Sequence, residues 1–219
     1  MRNTLQSAFA GIDWSQPNQG VPRSGPGSTL AHTVNIRADL PRLFADYNVT
    51  SFVDAPCGDW HWMQHVDLSG ISYLGLDIVP DLVETNSRDY GSDGVAFALA
   101  DVTSDPLPRA DMLMCRDCLF HLKFWLRWAF FENFLASHTP WLLTTVHDNP
   151  VNSNVPENGN FRWFNPRSAP FNLPDPVELI DDSLPEHDAA PEDDFRKRRF
   201  MGLWHRDQIA MALEHRETA

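Results

Sequence analysis

From residue 50 onward, short apolar runs alternate with longer segments that mix apolar and polar positions. Five runs are apolar along most of their length, which is typical of strands buried on both faces of a parallel sheet. They are TSFVDA (50–55), SYLGLDI (72–78), VAFALAD (95–101), ADMLMCRD (110–117) and WLLTTVH (141–147). Helices are predicted between them at 82–90 and 120–138. This alternation predicts an α/β fold with a mostly parallel sheet and helices on both faces.

The segments that flank this alternating region have a different character. The first 33 residues are polar and rich in Gly and Pro, and they are expected to form an arm or lid over a main domain of residues 34–219. Residues 148–176 hold many Asn, Pro and aromatic residues without clear periodicity, which predicts a functional insertion. Three further elements are expected: a helix at 34–47 that Pro41 bends or restarts, a strand at 177–183, and a strand at 198–205 that pairs antiparallel at the sheet edge.

Charge and composition limit the classes of partner. The net charge of -13 over 219 residues argues against nucleic-acid phosphates and anionic membrane surfaces as partners. A basic run at 196–199 follows an acidic stretch at 184–194 and is expected to be its local counter-charge. The sequence shows neither a run of 18 apolar residues nor the apolar core of a signal peptide, and its three Cys fit a reducing compartment. A cytoplasmic protein is therefore expected.

The ends of the five predicted strands carry ionisable residues. In an open parallel sheet, ligands lie beyond the carboxyl ends of the strands, near the point where the strand order reverses. Any one Asp there could simply cap a helix or form a turn. Four acids in register favour a ligand site, and His147 ends the fifth strand. The strand-end residues are Asp54, Asp77, Asp101, Asp117 and His147.

The turn after the first strand, DAPCGDW (54–60), is not a phosphate-binding loop. A dinucleotide fingerprint needs three glycines, whereas only Gly58 is present, and a Walker loop would need Gly-Lys-Ser/Thr. Asp54 and Asp59 would repel phosphate and favour a ligand with a positive charge. Asp77 follows the second strand, where an acidic residue in nucleoside-binding folds bonds the ribose hydroxyls. S-adenosylmethionine is a cationic nucleoside without phosphates and fits this pattern.

Four stretches resemble the successive motifs of class I S-adenosylmethionine-dependent methyltransferases: VDAPCGDWHWM, YLGLDIVPDLVETN, FALADVTSDPLPRADMLMCRDCLFHL and LLTTVHDNP. They are most similar to a bacterial branch with D-x-P-C-G-D in place of the commoner D-x-G-x-G-x-G. Segments that resemble this branch also lie upstream, at SGPGSTL (24–30), and downstream, at PFNLPDPVEL (170–179). The resemblance covers residues 24–205. Pro56 and Trp60 depart from the usual glycines, which leaves the path of the methionine moiety open.

The resemblance implies a Rossmann-like fold, a seven-stranded mostly parallel sheet with helices on both faces and an antiparallel edge strand. It also implies S-adenosylmethionine as the cofactor, while the residues themselves indicate no metal site. Asp77 would bind the ribose with Ile78 on the adenine, and Asp101 and Val102 would meet the adenine edge. The remaining cofactor-binding residues would be the turn residues Asp54, Pro56, Cys57, Gly58, Asp59 and Trp60, together with Cys115 and Arg116 after the fourth strand. Trp60 and Trp62 could wall the sulfonium or pack the first helix onto the sheet.

The segment CRDCLFHL (115–122) is the predicted source of chemistry. His121 lies four residues after Asp117, so the two could face one pocket, with His as the base and Asp orienting it or acting itself. His147 is a second candidate base. For each His the alternative is a structural role. A zinc site at Cys115 and Cys118 is disfavoured, because the sequence offers no second pair of ligands. The aromatic helix at 120–138 is expected to pack in the core, with a homodimer face as the alternative.

These features predict methyl transfer from S-adenosylmethionine to a small molecule. A sugar or glycoconjugate hydroxyl is the candidate acceptor, because the family resembles enzymes of polysaccharide pathways, and the Asn and aromatic residues of 148–176 also suit polyols. A nicotinamide oxidoreductase is disfavoured by the missing glycines. A cofactor-binding sensor or scaffold without catalysis is the alternative, and it would differ only at Asp117, His121 and His147. SGPGSTL and residues 148–176 are expected to close over the site as a lid.

Overall fold

A computed structural model describes residues 2–15, 20–183 and 198–216. The elements follow in the order α1 (Arg2–Ala10), α2 (Val34–Asp46), β1 (Ser51–Asp54), β2 (Ser72–Asp77), α3 (Pro80–Tyr90), β3 (Val95–Leu99), β4 (Met112–Cys115), α4 (Phe124–Ala136), β5 (Trp141–His147), β6 (Glu178–Asp181), β7 (Arg199–His205) and α5 (Arg206–Glu214). Short 3-10 turns lie at Pro26–Ser28, Met63–His65 and Leu119–His121. The acidic stretch at 184–194 and the basic residues 196 and 197 lie outside the described residues. None of the described helices is long and apolar enough to cross a membrane.

The seven strands form one sheet in the order β3-β2-β1-β4-β5-β7-β6. The first five are parallel, and β7 pairs antiparallel with both β5 and β6. The predicted seven-stranded, mostly parallel sheet is confirmed. The expected edge position of β7 is corrected, because β6 is the outermost strand. β7 pairs with β5 along all seven of its residues and with β6 at Phe200–Leu203, so β6 satisfies backbone groups of β7 that an edge position would leave unpaired.

Apolar side chains that alternate along the strands build one core layer on each face of the sheet. On β4, Leu113 and Cys115 face the layer that contains α4 and α5. Met112 and Met114 face the opposite layer, which contains α2 and the segment around Trp60. Because β4 is buried on both faces, its apolar run shows no alternation in the sequence.

The three predicted helices are present with altered bounds. The helix predicted at 120–138 is divided, because the 3-10 turn at Leu119–His121 ends before α4 begins. The aromatic residues of α4 are mostly buried, so core packing is observed, while Trp125 is 47% exposed. The helix predicted at 34–47 continues through Pro41. The sequence interpretation missed α1, for which the apolar pair Leu5 and Phe9, spaced by four residues, was the available signal.

One charged residue of α4 is completely buried. The guanidinium of Arg127 lies over the rings of Phe124 and Phe164, 5.0 and 4.6 Å from their centroids. Its Nε donates to the Leu122 carbonyl at 2.8 Å, while both Nη atoms lack a hydrogen-bond partner among the described residues. Burial lowers the pKa of Arg127 to about 10. This side chain joins α4 to the insertion at 148–176.

Candidate active site

The carboxyl ends of the five parallel strands open onto one cavity of about 550 Å³. The chain runs outward from β1 in one direction to β2 and β3, and returns to β4 on the other side, so the strand order reverses between β1 and β4. The strand-end residues that the sequence singled out all line this cavity: Asp54, Asp77, Asp101, Asp117 and His147. The parallel sheet therefore brings together residues that are up to 93 positions apart (147 minus 54).

The turn after β1 depends on Gly58, whose φ is +58°. Its N–H donates to Asp77 Oδ2 at 2.9 Å, and its carbonyl accepts from Asn86 Nδ2 at 2.8 Å. A side chain at this position would collide with Ser24. Ser24 and Asp59 in turn bond reciprocally, with backbone N–H to side-chain oxygen distances of 3.1 and 2.7 Å. Asp59 therefore holds the segment at 24–28 over the turn through its hydrogen bonds to Ser24, and it does not line the cavity.

Two buried carboxyls lie at the ends of β1 and β2. Tyr73 Oη donates to Asp54 Oδ2 at 2.8 Å. Burial raises the pKa of Asp54 to about 7, although the Tyr73 hydrogen bond and the Arg116 charge oppose the shift. Asp77 accepts from the Gly58 and Val79 amides, and burial still raises its pKa. A cationic ligand with hydroxyl donors would stabilise the charged forms of both groups.

The part of the cavity next to β2 and β3 is apolar apart from its carboxyls and Thr103. Asp101 Oδ1 accepts from the backbone and side chain of Thr103 at 2.9 and 2.6 Å. The surrounding wall comes from the ends of β2 and β3 and from α1, which Gln6 ties to the Ile78 carbonyl at 3.0 Å. Its members are Leu5, Phe9, Ile78, Val79, Ala100 and Val102. A flat heterocycle would fit between these side chains, with its polar edge toward Asp101.

Two arginines and two aspartates form a charge network beside the end of β4. Arg199 donates to Asp117 Oδ2 at 3.0 Å and to Asp182 Oδ2 at 2.6 Å. Arg116 donates to Asp182 Oδ2 at 3.0 Å and to the Gly27 carbonyl at 2.9 Å, and its Nη1 lies 3.3 Å from Asp117 Oδ2. The four charges cancel in sum. The Gly27 contact ties the segment at 24–28 to this network.

The sequence interpretation missed Asp182 and assigned Arg199 to a surface counter-charge. The structure places both on the cavity lining instead. Arg199 is the first residue of β7 and pairs with His147 on β5, and Asp182 directly follows β6. The antiparallel return of β7 brings its first residue to the carboxyl end of β5. The available signal was the Arg at the start of the last apolar run. This Arg can be assigned to the cavity only when the order of the strands is known.

Asp117 is held as a carboxylate. Burial by itself would raise its pKa, but the charges of Arg199 and Arg116 outweigh burial and lower the pKa to about 2. Its Oδ1 also accepts from Thr145 Oγ1 at 3.2 Å. A carboxylate with so low a pKa is a weak proton acceptor. Asp117 is therefore better suited to orient neighbouring groups than to act as the general base.

The two histidines lie on the same side of the cavity as Asp117. His121 Nδ1 is 3.1 Å from the Asn160 carbonyl, and His147 Nδ1 is 3.3 Å from both the amide nitrogen and the carbonyl oxygen of Phe164. Burial lowers the pKa of His121, and it lowers the pKa of His147 to about 4, while Asp117 opposes both shifts. Both rings are neutral at physiological pH and keep a nitrogen that can accept a proton.

Three predicted cofactor-binding residues do not reach the cavity lining: Asp59, Trp60 and Cys115. Trp60 packs in the core, with ring centroids 4.9 Å from Tyr90 and 5.5 Å from Phe97. Cys115 is fully buried within the sheet. Trp62 does line the cavity, where the Arg116 guanidinium lies 5.3 Å from its ring centroid. Pro56, Cys57, Gly58, Ile78, Val102, Arg116 and His121 line it as well.

The cysteine pair shows no metal-site geometry. Cys57, Cys115 and Cys118 are all buried and unbridged. Within residues 2–15, 20–183 and 198–216, no three His, Cys, Asp or Glu side chains are grouped so that they could hold a metal ion.

Solved structures share this architecture. The chain aligns over 93% of its length with 87% of Burkholderia thailandensis 1,6-didemethyltoxoflavin-N1-methyltransferase, solved with its acceptor and S-adenosylhomocysteine, at a TM-score of 0.62 and 15% identity. It aligns over 93% with 96% of Synechocystis magnesium protoporphyrin IX methyltransferase, solved with S-adenosylmethionine, at a TM-score of 0.59 and 14% identity. Two other alignments are shorter, and the chain spans only 39% of human N-acetylserotonin methyltransferase and 56% of a second structure of the Synechocystis enzyme.

The sequence itself matches no protein-family model and no curated protein. At identities this low the likeness concerns the fold, and it agrees with the strand order and the position of the cavity. The chain has the Rossmann-like fold of class I methyltransferases.

Proposed function

We propose that this protein is an S-adenosylmethionine-dependent methyltransferase that acts on a hydroxyl group of a small molecule. The observation that carries the proposal is the division of the cavity into two parts. Three carboxyls and an apolar wall lie over β1, β2 and β3, and two neutral histidines lie over β4 and β5. The two methyltransferases of this fold described above were solved with S-adenosylmethionine or S-adenosylhomocysteine bound.

The first part of the cavity fits the chemistry of the cofactor. Asp77 would hold the ribose hydroxyls, because a carboxylate can accept two hydrogen bonds from a diol. Asp101 would bind the adenine edge, and Ile78 would pack on its face. Asp54 and the Gly58 turn would lie under the methionine part, where a carboxylate favours a cation. Once bound, S-adenosylmethionine supplies a methyl group that its sulfonium has already activated.

The second part would position the acceptor and remove its proton. His147 or His121 would accept the hydroxyl proton, while Asp117 stabilises the imidazolium that forms. The segment at 24–28 and the aromatic residues of the insertion border this part of the cavity and would exclude water. Their movement as a lid stays a prediction. A sugar or glycoconjugate hydroxyl is one acceptor within this proposal, and the net charge of -13 favours a small molecule over a nucleic acid.

Calorimetry with S-adenosylhomocysteine tests the cofactor half of the proposal. Asp77→Asn should weaken binding by roughly 10- to 100-fold, because hydrogen bonds to a charged group contribute about 1.5–3 kcal/mol each. Asp67→Asn makes the same chemical change at an exposed loop position and should bind as the wild type does. Unfolding curves of each variant verify that the fold is retained.

The proposal is rejected if the wild-type protein binds neither form of the cofactor, or takes up a dinucleotide instead. The non-catalytic alternative has a separate signature. A sensor or scaffold would bind S-adenosylmethionine tightly and transfer no labelled methyl group to any member of a broad acceptor panel.

A further inference from the structure

Six aromatic rings form a continuous wall at the end of the cavity over β4 and β5. The members of this aromatic wall are Trp14, Phe120, His121, His147, Phe161 and Trp163, and all six line the cavity. Neighbouring rings contact one another, with centroid distances of 4.6 Å for Trp14–His121, 5.1 Å for Phe120–Phe161 and 4.7 Å for Phe161–Trp163. Four separate chain segments supply them: the N-terminal segment, the turn after β4, the end of β5 and the insertion.

Three Asn side chains of the insertion form hydrogen bonds away from the cavity. Asn152 donates to three backbone carbonyls at 2.8–3.0 Å and accepts from the Asn165 amide at 2.9 Å. Asn149 donates to the Val151 carbonyl at 2.6 Å, and Asn154 accepts from the Phe124 amide at 3.0 Å. None of these Asn side chains lines the cavity. Asn149 and Asn152 hold the backbone of the insertion in place, Asn154 joins it to α4, and none of the three is available to bind a polyol.

The charge network beside the wall leaves three polar atoms without a partner in the described structure, Arg116 Nη2, Arg199 Nε and Asp182 Oδ1, and each of them is buried out of reach of a ligand in the cavity. Asp117 accepts through both carboxyl oxygens, and Arg199 donates through both Nη atoms. Arg116 donates through Nε and Nη1. A sugar would bring several hydroxyls to this end of the cavity, and each buried hydroxyl without a partner costs about 1–3 kcal/mol. A ring with one hydroxyl would need few polar partners and would bury its apolar faces against the wall.

We propose that the methyl acceptor is a hydroxylated aromatic ring, a phenol, that packs against the aromatic wall with its hydroxyl beside His147. This inference rests on the proposed function, since it names the acceptor class of the same site. Aromatic rings favour edge-to-face and offset packing with one another, and the members of the wall already pack on each other in this way, with a perpendicular contact between Phe161 and Trp163. A further aromatic ring in the cavity would extend this packing.

The chemistry of the neighbouring base agrees with this acceptor. The pKa of His147 is about 4, and burial is the main cause. A base this weak is poorly matched to an aliphatic alcohol, whose pKa resembles the value of about 16 for water, and is better matched to a phenol with a pKa of about 10. The phenolic oxygen bonds to the methyl carbon as the carbon–sulfur bond breaks and its electron pair goes to sulfur. The phenolic proton passes to the His147 ring and then to solvent.

Calorimetry on the full chain loaded with S-adenosylhomocysteine tests the acceptor class. The probes are 2-naphthol and methyl β-D-glucopyranoside. Saturable binding is expected for 2-naphthol and not for the glucoside. Phe161→Ala should weaken naphthol binding roughly tenfold, and Phe161→Leu should do so less, because Leu keeps apolar bulk but loses the ring. Trp125→Leu removes an exposed aromatic ring of α4 that lies outside the cavity, and it should leave naphthol binding unchanged.

Binding of S-adenosylhomocysteine is measured first, so a failure of the proposed function is seen separately. If the loaded protein binds the glucoside and not naphthol, or binds neither probe, the phenol inference is overturned while the proposed function stands. Equal naphthol affinity in Phe161→Ala and Trp125→Leu would also overturn it, because the probe would then bind away from the wall.

Discussion

Asp54 is a buried carboxyl whose ionisation should oppose folding. Its side chain lies at the end of β1, and Tyr73 donates one hydrogen bond to it at 2.8 Å. Burial raises its pKa to about 7, from an ordinary value of 3.8. Replacing Asp54 with Asn keeps the shape of the protonated side chain and an oxygen that accepts from Tyr73. The substitution removes only the ability to become charged.

The size of the effect follows from proton linkage. A tenfold change in a proton-binding equilibrium corresponds to about 1.4 kcal/mol, so the difference between the two pKa values is worth about 4 kcal/mol. Because the pKa is raised in the folded chain, the folded state binds the proton more tightly. The stability contribution of Asp54 is therefore fully present below pH 3.8 and is lost as the pH rises through 7. About 3 kcal/mol of it should be lost between pH 5 and pH 9.

Urea unfolding followed by tryptophan fluorescence at pH 5, 7 and 9 measures this loss. Other titrating groups act on both proteins, so the difference in unfolding free energy between variant and wild type isolates Asp54. We expect Asp54→Asn to gain about 3 kcal/mol relative to the wild type between pH 5 and pH 9. Asp67→Asn is the control, because Ser69 hydrogen bonds lower the pKa of Asp67. Any dependence at that position should be small and of opposite sign.

A difference between Asp54→Asn and wild type that stays constant from pH 5 to pH 9 would refute the reasoning. It would mean that the Arg116 charge holds Asp54 ionised in the folded protein. A shift in the opposite direction would mean that Asp54 is already part of a stabilising ion pair.

Two further substitutions test packing around the site. Gly27→Ala should lower the unfolding free energy by about 1–3 kcal/mol, because the added Cβ would lie 2.5 Å from Asp117 Oδ2. Gly11→Ala is the control and should change the unfolding free energy little, because its Cβ would meet one oxygen at 3.5 Å. Equal urea midpoints for the two variants would contradict the predicted contact. Arg127→Met should unfold at the same urea concentration as the wild type or higher, because it removes a buried charge with two unsatisfied donors within the described structure. Arg127→Ala should instead lower the unfolding free energy by about 2–5 kcal/mol, because it leaves a cavity beside Phe164. If Arg127→Met destabilises the protein as much as Arg127→Ala does, the guanidinium contacts stabilise the fold and the prediction is wrong.

Local pattern was sufficient to predict the parallel half of the fold. The apolar runs that became β1 to β5 were recognised as strands buried on both faces, which must be apolar throughout. That expectation was wrong for β3, an edge strand with no buried residue. The acids that end these runs share one edge of the sheet for a geometric reason, since parallel strands all point their carboxyl ends the same way. Asp54, Asp77, Asp101 and Asp117 could thus be placed together without knowing any contact between them.

Local pattern was misleading where a side chain had more than one use. Trp60 could have walled the cavity, but its backbone adopts a φ of +55° and directs the indole into the core. The Asn residues of the insertion suggested a polyol, but Asn149 and Asn152 bond backbone groups of the insertion, and Asn154 bonds the Phe124 amide. In both cases the local sequence indicated what the side chain could bind, but it did not indicate the direction in which the side chain points.

The sequence by itself determined the class of fold and the edge of the sheet where a ligand would bind, because hydrophobic periodicity and strand polarity are local properties. Only the tertiary structure decided which groups meet there. Asp182 is joined to Asp117 through Arg199, which reaches Asp117 because β7 returns antiparallel between β5 and β6. That pairing joins positions 82 residues apart (199 minus 117). The neighbouring charges set the protonation state of Asp117 and therefore decide which nearby group can serve as the base. The sequence around Asp117 does not reveal these charges, because they come from a distant part of the chain.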